Sequence, residues 1–270
     1  MNDLREALAE LPCGRRLLDA ADAIEGVHLV GGAVRDLLLG REPRELDVVV
    51  EGDVAALAAR LGAADQVAHE RFGTMTVRGG DCRWDLATAR AESYAHPGAL
   101  PDVEPAGIEQ DLVRRDVTIN ALALDLSSGV VRTVDHALDD LDAGRLRVLH
   151  DASFSDDPTR LWRIARYAAR LGFEIEPHTA TLAAQAVRVG APATVSGTRI
   201  GNELRLALGE PDPLAALERA QQLGLAPWLR PDGALAGRAL ALLPPGEGRT
   251  DLLVLAASLA APRPGADELL

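Results

Sequence analysis

The sequence predicts an α+β body over residues 1–150, followed by an all-helical body over residues 151–270. Three observations carry this. Short apolar runs that end on glycine recur through the first half, as in VHLVGG (27–32) and ELDVVVEG (45–52). From Asp157 onward apolar residues repeat at helical spacing in nearly every segment. Hydrophobic residues make up 47% of the 270, enough to bury a sizeable core, while aromatics are only 3%, so that core must be mostly Leu, Ala and Val.

Taken in order, residues 3–10 and 14–23 read as short helices. VHLVGG is a strand entering a tight turn, and residues 33–40 form a helix that stops at Gly40. ELDVVVEG is a second, β-branched strand, and residues 53–62 are an amphipathic helix ending at Gly62. MTVRGGDCRWDLATAR (75–90) is a hairpin turning at Gly79-Gly80, and the Pro- and Gly-rich stretch 94–107 reads as a loop. TINALALDL (118–126) has mixed helix and strand character, and RLRVLH (145–150) is read as the last strand. Helices are expected at 158–171, 179–189, 198–208, 213–224 and 250–260, with the Gly/Pro-rich 230–248 as a flexible joint. No internal repeat is visible.

The formal net charge of −13 argues against a general polyanion binder, although it leaves room for a local basic groove. All 28 basic residues are arginine, a planar donor suited to phosphates and bases. Cys13 and Cys82 are too few for a disulfide framework, and neither has a metal-ligand spacing. The N-terminal MNDLREALAELP is charged and amphipathic, unlike a signal peptide. No apolar run approaches the roughly 20 residues that span a bilayer. The expectation is a soluble, cytoplasmic protein with no membrane partner.

Two features of the first body bear on chemistry. Gly31-Gly32-Ala33-Val34-Arg35-Asp36 follows a strand and opens a helix, where backbone N–H groups can hold phosphate oxygens and Arg35 adds a cation. Taken alone, such a turn is more often an ordinary strand-to-helix connection. Glu45 and Asp47 are two apart at the start of a strand, so their carboxylates project to one side. Such a pair repels itself unless a cation intervenes, and Mg²⁺ takes one or two carboxylates together with substrate phosphates. In the second body, Arg160, Arg163, Arg166 and Arg170 share one helix face opposite Leu161, Ile164, Ala165, Ala168 and Leu171. Ser155 or Asp156 is placed to cap that helix and Pro158 suits its first turn.

The run LVGGAVRDLLLGREPRELDVVVEGD (29–53) resembles the signature of the class II tRNA nucleotidyltransferase and bacterial poly(A) polymerase family. RFGTMTV (71–77), WDLATARAESYAHPGALPDV (84–103), DLVRRDVTINALAL (111–124), SFSDDPTRLWRIARYAARLGFEIEP (153–177) and VSGTRIGNELRLALGEPDPLAALERAQQLGLAPWL (195–229) resemble further family segments in the expected order. The resemblance implies a polymerase-beta-like head followed by a helical neck and partial body. It implies transfer of C or A, or both, from CTP and ATP to the tRNA 3′ end, with Mg²⁺ held by Glu45 and Asp47. Gly31, Gly32, Arg35 and Arg115 would then hold the triphosphate. Asp116 would orient Arg115 or assist the metal site, and Asp85 would be a third acid or a buried hydrogen-bonding group. Asp156, Asp157 and Arg160 match the family's acid-acid-x-x-Arg motif, of which Asp157 and Arg160 would read the base edge, with Arg163 and Arg166 as phosphate or base contacts. The Asp-Asp-Pro-Thr-Arg form resembles the branch that includes separate CC-adding and A-adding enzymes.

Two departures stand out. Glu45 replaces the first acid of the family's usual Asp-x-Asp. The stretch Asp135–Leu141 lacks the glycine pair that usually follows Asp-Pro at the family's hinge. The family's longer RNA-gripping tail is also largely without counterpart, so the expectation is either slow action on short RNA ends or a partner protein or second copy that supplies the grip. The competing readings are a poly(A) polymerase on the same scaffold and a catalytically weakened nucleotide- or RNA-binding protein.

Overall fold

A computed structural model of the chain describes residues 4–62, 65–69, 73–229, 232–243 and 248–260. Residue 3 of the first expected helix, residues 71–72 of the RFGTMTV segment, and residues 230–231 and 244–247 of the expected joint lie outside the described residues. The chain divides into two compact units. One takes the described residues up to Ala95 together with Leu100–Ala143 and Arg147–Leu149; the other takes His96–Ala99, Gly144–Leu146 and the described residues from His150 on.

The first unit is built on a seven-stranded sheet. Its strands are β1 (Val27–Val30), β2 (Leu46–Val50), β3 (Asp65–His69), β4 (Thr74–Gly79), β5 (Cys82–Thr88), β8 (Leu122–Asp125) and β9 (Val131–Thr133), in the order β3-β4-β5-β2-β1-β8-β9. β1 is buried along its whole length, as expected of a central strand covered on both faces. β5 instead alternates: Cys82, Trp84 and Leu86 are buried, while Arg83, Asp85 and Ala87 lie on the more open face. β2 pairs with β5 in parallel and in register, Asp47 opposite Asp85, whereas the other neighbours in this sheet are antiparallel. A separate pair, β6 (Arg90–Ser93) and β7 (Asp102–Pro105), forms a small antiparallel ribbon.

The helices of this unit are α1 (Leu4–Glu10), α2 (Pro12–Ala21), α3 (Gly32–Leu38), α4 (Val54–Arg60), α5 (Ile108–Val113) and α6 (Ala137–Asp142), with a 3₁₀ turn at Thr118–Asn120. Asp53 caps α4 by accepting from the Ala55 N–H at 2.8 Å. Part of the core is assembled from small and branched residues, Val30, Val49, Ala89, Ile108, Leu112, Ala121 and Ala123, as the low aromatic content predicts. Trp84 is fully buried; its indole N–H donates to the Cys13 carbonyl at 3.1 Å, and the Arg16 guanidinium lies 5.0 Å from the ring centre.

The second unit carries α7 (Ser153–Asp156), α8 (Thr159–Leu171), α9 (Pro177–Arg188), α10 (Gly197–Leu208), α11 (Pro213–Gln222), α12 (Gly233–Leu240) and α13 (Thr250–Ala260). A 3₁₀ turn spans Ala191–Thr194, and a two-residue parallel pair joins β10 (Arg145–Leu146) to β11 (Glu174–Ile175). Helix starts are marked by side-chain caps: Glu176, Ser196, Asp212 and Asp232 each accept from a backbone N–H three residues on. α8 ends on Gly172 at φ 71°, the left-handed conformation that glycine adopts without strain. Ala207, Leu208, Ala216, Leu217, Leu229, Ala236, Val254 and Ala257 form the core shared by the later helices. No helix among the described residues is long and apolar enough to cross a membrane.

Several expectations are corrected. The stretch 94–107 is not all loop, because Asp102–Pro105 pairs with Arg90–Ser93. Residues 145–150 are not the last strand of the sheet: Arg145–Leu146 pairs with Glu174–Ile175, and Val148 makes an isolated antiparallel bridge to Val117. The last strand is β9, which follows the Asp125–Gly129 turn. The stretch 230–248 contains helix α12, begun by Asp232 at its cap, so a Gly/Pro-rich composition does not make it a joint throughout. The cap before α8 is neither Ser155 nor Asp156. It is Asp157, which accepts from the Thr159 N–H at 2.9 Å and the Thr159 hydroxyl at 2.6 Å.

The stretch without the family's glycine pair has its own device. His136 takes φ 65° at the start of α6. Histidine is one of the few non-glycine residues enriched in that region.

The two cysteines, judged too few for a framework, form a single disulfide between α2 and β5 across 69 residues of sequence. Their spacing held no sign of it, because only the sheet brings Cys82 under α2. A cross-link closing a loop of that length removes chain entropy from the unfolded state, at most about 4 kcal/mol. Reduction, or Cys82→Ser, is therefore expected to lower the urea midpoint, with a fall in unfolding free energy approaching that figure. Equal midpoints with and without reductant would remove the cross-link from the stability of this protein.

Candidate functional site

Strand pairing assembles the site in the first unit. The parallel register sets Asp47 and Asp85 side by side on the open face of the sheet, and Glu45 stands just before β2. Glu45, Asp47 and Asp85 each offer a carboxylate oxygen, and these oxygens lie within 4.8 Å of one another. Three negative charges at that spacing repel strongly unless a cation or hydrogen-bond donors offset them. Asp85 already has two such contacts: it accepts from the Thr76 hydroxyl at 2.5 Å and pairs with the Arg83 guanidinium at 2.8 Å. The all-oxygen donor set fits a hard divalent ion such as Mg²⁺. Asp47 and Asp85 line a cleft of about 310 Å³ whose wall also includes Thr76, Arg114 and Arg115.

The arginines of that wall are aimed by one buried acid. Asp111, fully buried on α5, accepts from Arg114 Nη2 at 2.8 Å and from Arg115 Nη2 at 2.7 Å. Burial pushes the Asp111 carboxyl up, but the Arg115 and Arg114 charges and hydrogen bonds outweigh it and hold the group below 3.8. Arg114 also reaches Glu92 on β6 at 2.9 Å. Arg115 lies against the glycine turn: a Cβ on Gly31 would come within 2.8 Å of Arg115 Nη1. Gly31 also takes φ 67°, a backbone conformation that favours glycine there.

The turn itself is placed differently from the sequence reading. The Gly31 N–H is not directed at a ligand; it donates to the Leu122 carbonyl at 2.9 Å as part of the sheet. Gly32 opens α3 with the Arg35 guanidinium close beside it. Arg35 is buried. It donates to Asn120 Oδ1 at 2.7 Å and pairs with Asp36 at 2.7 Å. Asp116 is likewise buried, accepting from the Val117 N–H at 2.9 Å and Asn120 Nδ2 at 3.1 Å. Asn120 thus links Arg35 to Asp116. The third acid brought to Glu45 and Asp47 is Asp85 and not Asp116.

In the second unit, Asp157 and Arg160 bracket the start of α8. Asp157 Oδ1 receives Arg199 Nη2 at 2.8 Å as well as the two Thr159 donors, so all three bonds fall on one carboxylate oxygen. Arg199 also donates to the Gly98 carbonyl at 2.9 Å. Arg160 is buried, with Nη1 donating to the Ser153 hydroxyl at 2.9 Å.

The arginine row is not a solvated face. Arg166 is buried between Glu210 at 3.1 Å and Glu203 at 3.3 Å, and Arg170 also pairs with Glu210. Arg163 stays partly open, 5.8 Å from the Tyr167 ring centre. Burial raises the Glu203 carboxyl, with Arg163 and Arg166 acting against the rise. For Glu210 burial again acts upward, but the hydrogen bonds and charges of Arg170 and Arg166 prevail and lower it. Arg166 is thus held between two acids of the helical unit.

Sequence reasoning missed Asp111, Asn120, Arg199, Glu203 and Glu210. Only Asp111 carried a local signal, since it lies three and four residues before Arg114 and Arg115 on one turn of helix. The others bond partners 37 to 85 residues away in sequence, and Asn120 also reaches Asp116 four residues before it.

Residues 27–147 match the family model for the poly A polymerase head domain. The chain is 43% identical over 225 residues to an A-adding tRNA nucleotidyltransferase of Geobacter sulfurreducens, covering 80% of this chain and 26% of that protein. It is 42% identical over 193 residues to a CC-adding tRNA nucleotidyltransferase of Deinococcus radiodurans, covering 68% of this chain and 50% of the relative. The chain thus spans about a quarter to a half of the curated relatives it matches. The solved structure of a CCA-adding enzyme in an apo form superimposes with a TM-score of 0.79 at 33% identity, covering all of this chain and 67% of the other.

The burial of Arg166 yields a test. Arg166→Ala leaves Glu203 and Glu210 buried with one cation fewer, and breaking a buried pair in this way costs about 3–5 kcal/mol. A large fall in the thermal midpoint is expected. Unchanged stability together with loss of nucleotide binding would restore Arg166 to the ligand.

Proposed function

The chain belongs to the tRNA nucleotidyltransferase and poly(A) polymerase family, and from that premise we propose that it transfers C or A from CTP or ATP to the 3′ end of tRNA, releasing pyrophosphate. The observation that carries the reading is the convergence of Glu45, Asp47 and Asp85, the last two lining a cleft walled by Arg114 and Arg115. Nucleotidyl transfer needs this combination: anionic ligands for a divalent ion, and fixed cations for a triphosphate.

Glu45, Asp47 and Asp85 hold Mg²⁺ in this reading. When bound, the ion supplies activation of the RNA 3′-hydroxyl and charge stabilisation for the α-phosphate and leaving pyrophosphate. Arg115, oriented by Asp111 and packed on Gly31, binds the phosphates, and Gly32 keeps the turn open to them. Arg35 and Asp116 position this region through Asn120, without touching the nucleotide.

Base choice falls to Asp157 and Arg160, with Arg163 as an accessory group. The bonds of Arg199 and Thr159 to Asp157 Oδ1 fix the carboxylate, and in this reading Oδ2 accepts from the exocyclic amine that cytosine and adenine share. Arg160 donates to the ring and carbonyl acceptors. Uracil and guanine offer the wrong donor pattern, and unpaired polar groups in a closed site are costly.

Incubation with tRNA lacking its CCA end, Mg²⁺ and each labelled nucleoside triphosphate tests the activity; product length on tRNA against generic RNA separates it from poly(A) synthesis. Asp47→Asn is expected to abolish incorporation, whereas Glu45→Asp retains or raises it because the shorter acid is the family's usual ligand at that position. Near-normal turnover by Asp47→Asn would refute the metal assignment.

Arg160→Ala is expected to weaken discrimination against UTP and GTP more than triphosphate affinity, by about 1–3 kcal/mol for each hydrogen bond to the base that the variant no longer makes. Unchanged selectivity across the four nucleotides in that variant would end the base-reading assignment.

A further inference from the structure

We infer that Arg83 is a tethered counter-ion of the acidic triad, which a divalent cation must displace from Asp85, so that this arginine sets the protein's cation requirement. The inference rests on the reading of Glu45, Asp47 and Asp85 as the cation site.

The geometry follows from the strand. Arg83 and Asp85 are two apart on β5 and so project from the same face. Arg83 faces Arg78 directly across the β4–β5 ladder, and like charges directly opposite one another repel. Its guanidinium lies along the strand toward the triad and reaches Asp85 Oδ2 at 2.8 Å. The other oxygen, Oδ1, is occupied by the Thr76 hydroxyl at 2.5 Å. Both oxygens of the third acid are therefore engaged, one of them by a full positive charge.

The two partners differ in how a cation would act on them. The Thr76 hydroxyl is neutral, and an oxygen that accepts from it keeps a lone pair for a metal. Arg83 is a monovalent cation where a divalent one would bind, and the two repel. Its side chain is 50% exposed and that of Asp85 26%, so the pair is weak enough to exchange and the freed guanidinium has solvent to enter. Arg83 thus compensates the triad in the absence of the ion and competes with the ion when it arrives. At a separation of a few ångströms in a water-exposed setting, the repulsion between one and two charges corresponds to about a three- to tenfold change in affinity, reduced by salt.

Binding of Mn²⁺ alone, followed by the electron paramagnetic resonance signal of the free ion, tests this without nucleotide or RNA. Arg83→Gln is expected to bind Mn²⁺ about three- to tenfold more tightly than the unaltered chain at low salt, with the gap narrowing at high salt. Arg83→Lys keeps the charge and is expected to stay near the starting affinity. In an Asp85→Asn background, where the paired carboxylate is gone, Arg83→Gln is expected to add little. Equal or weaker Mn²⁺ binding by Arg83→Gln, with Asp47→Asn still abolishing it, would overturn the role of Arg83 and leave the cation site standing. Absence of Mn²⁺ binding by both the unaltered chain and Arg83→Gln would overturn the site and the inference together.

Discussion

Parallel pairing of β2 with β5 places Leu46 opposite Trp84, Asp47 opposite Asp85 and Val48 opposite Leu86. Apolar residues of both strands enter the core in this register, while the carboxylates are left together on the open face. A slip of one residue would put Asp47 beside a buried tryptophan or leucine and turn one strand's apolar set toward water. The burial of Trp84, Leu86 and Val48 therefore enforces the closeness of the two acids, although that closeness is itself unfavourable. Apolar packing holds together what electrostatics would separate.

The cleft's positive wall depends on a similar balance. Asp111 is an acid with no solvent exposure, tolerated because Arg114 and Arg115 both donate to it. The Glu51 carboxylate, accepting from the Ile108 N–H at 2.7 Å, holds the start of the same helix. In a chain of net charge −13, basic groups are effective only where such anchors aim them. Most of the arginines singled out in the sequence prove to be bound by the protein's own acids, Arg35 by Asp36 and Arg166 by Glu203 and Glu210.

The helical unit shows the same pattern on α8. Leu161, Ile164, Ala165 and Ala168 are buried as their spacing requires, yet Arg160 and Arg166 are buried with them. The helix is enclosed on more than its apolar stripe, by neighbours that bring Glu203 and Glu210 to the arginine face. Asp157, read as half of a base-selecting pair, is also the residue that caps α8. One carboxylate oxygen serves both the helix and Arg199.

Much was legible from the residues alone. Glycine-terminated apolar runs marked β1 and β2, period-two alternation with Gly79-Gly80 marked the β4–β5 hairpin, and helical spacing marked α8 to α11 and α13. Local rules suffice there because backbone preference and burial pattern act within a few residues. The i, i+2 spacing likewise put Glu45 and Asp47 on one side of a strand. Tertiary structure alone decided that Asp85 joins them, that Cys13 meets Cys82, that Arg145–Leu146 pairs with Glu174–Ile175, and which of the acids Asp111, Glu203 and Glu210 each arginine reaches. Each of those outcomes turns on a partner distant in sequence or on which of several acids reaches a given guanidinium. A charged side chain announces that it needs a counter-charge, and only the packing of strands and helices determines which one it finds.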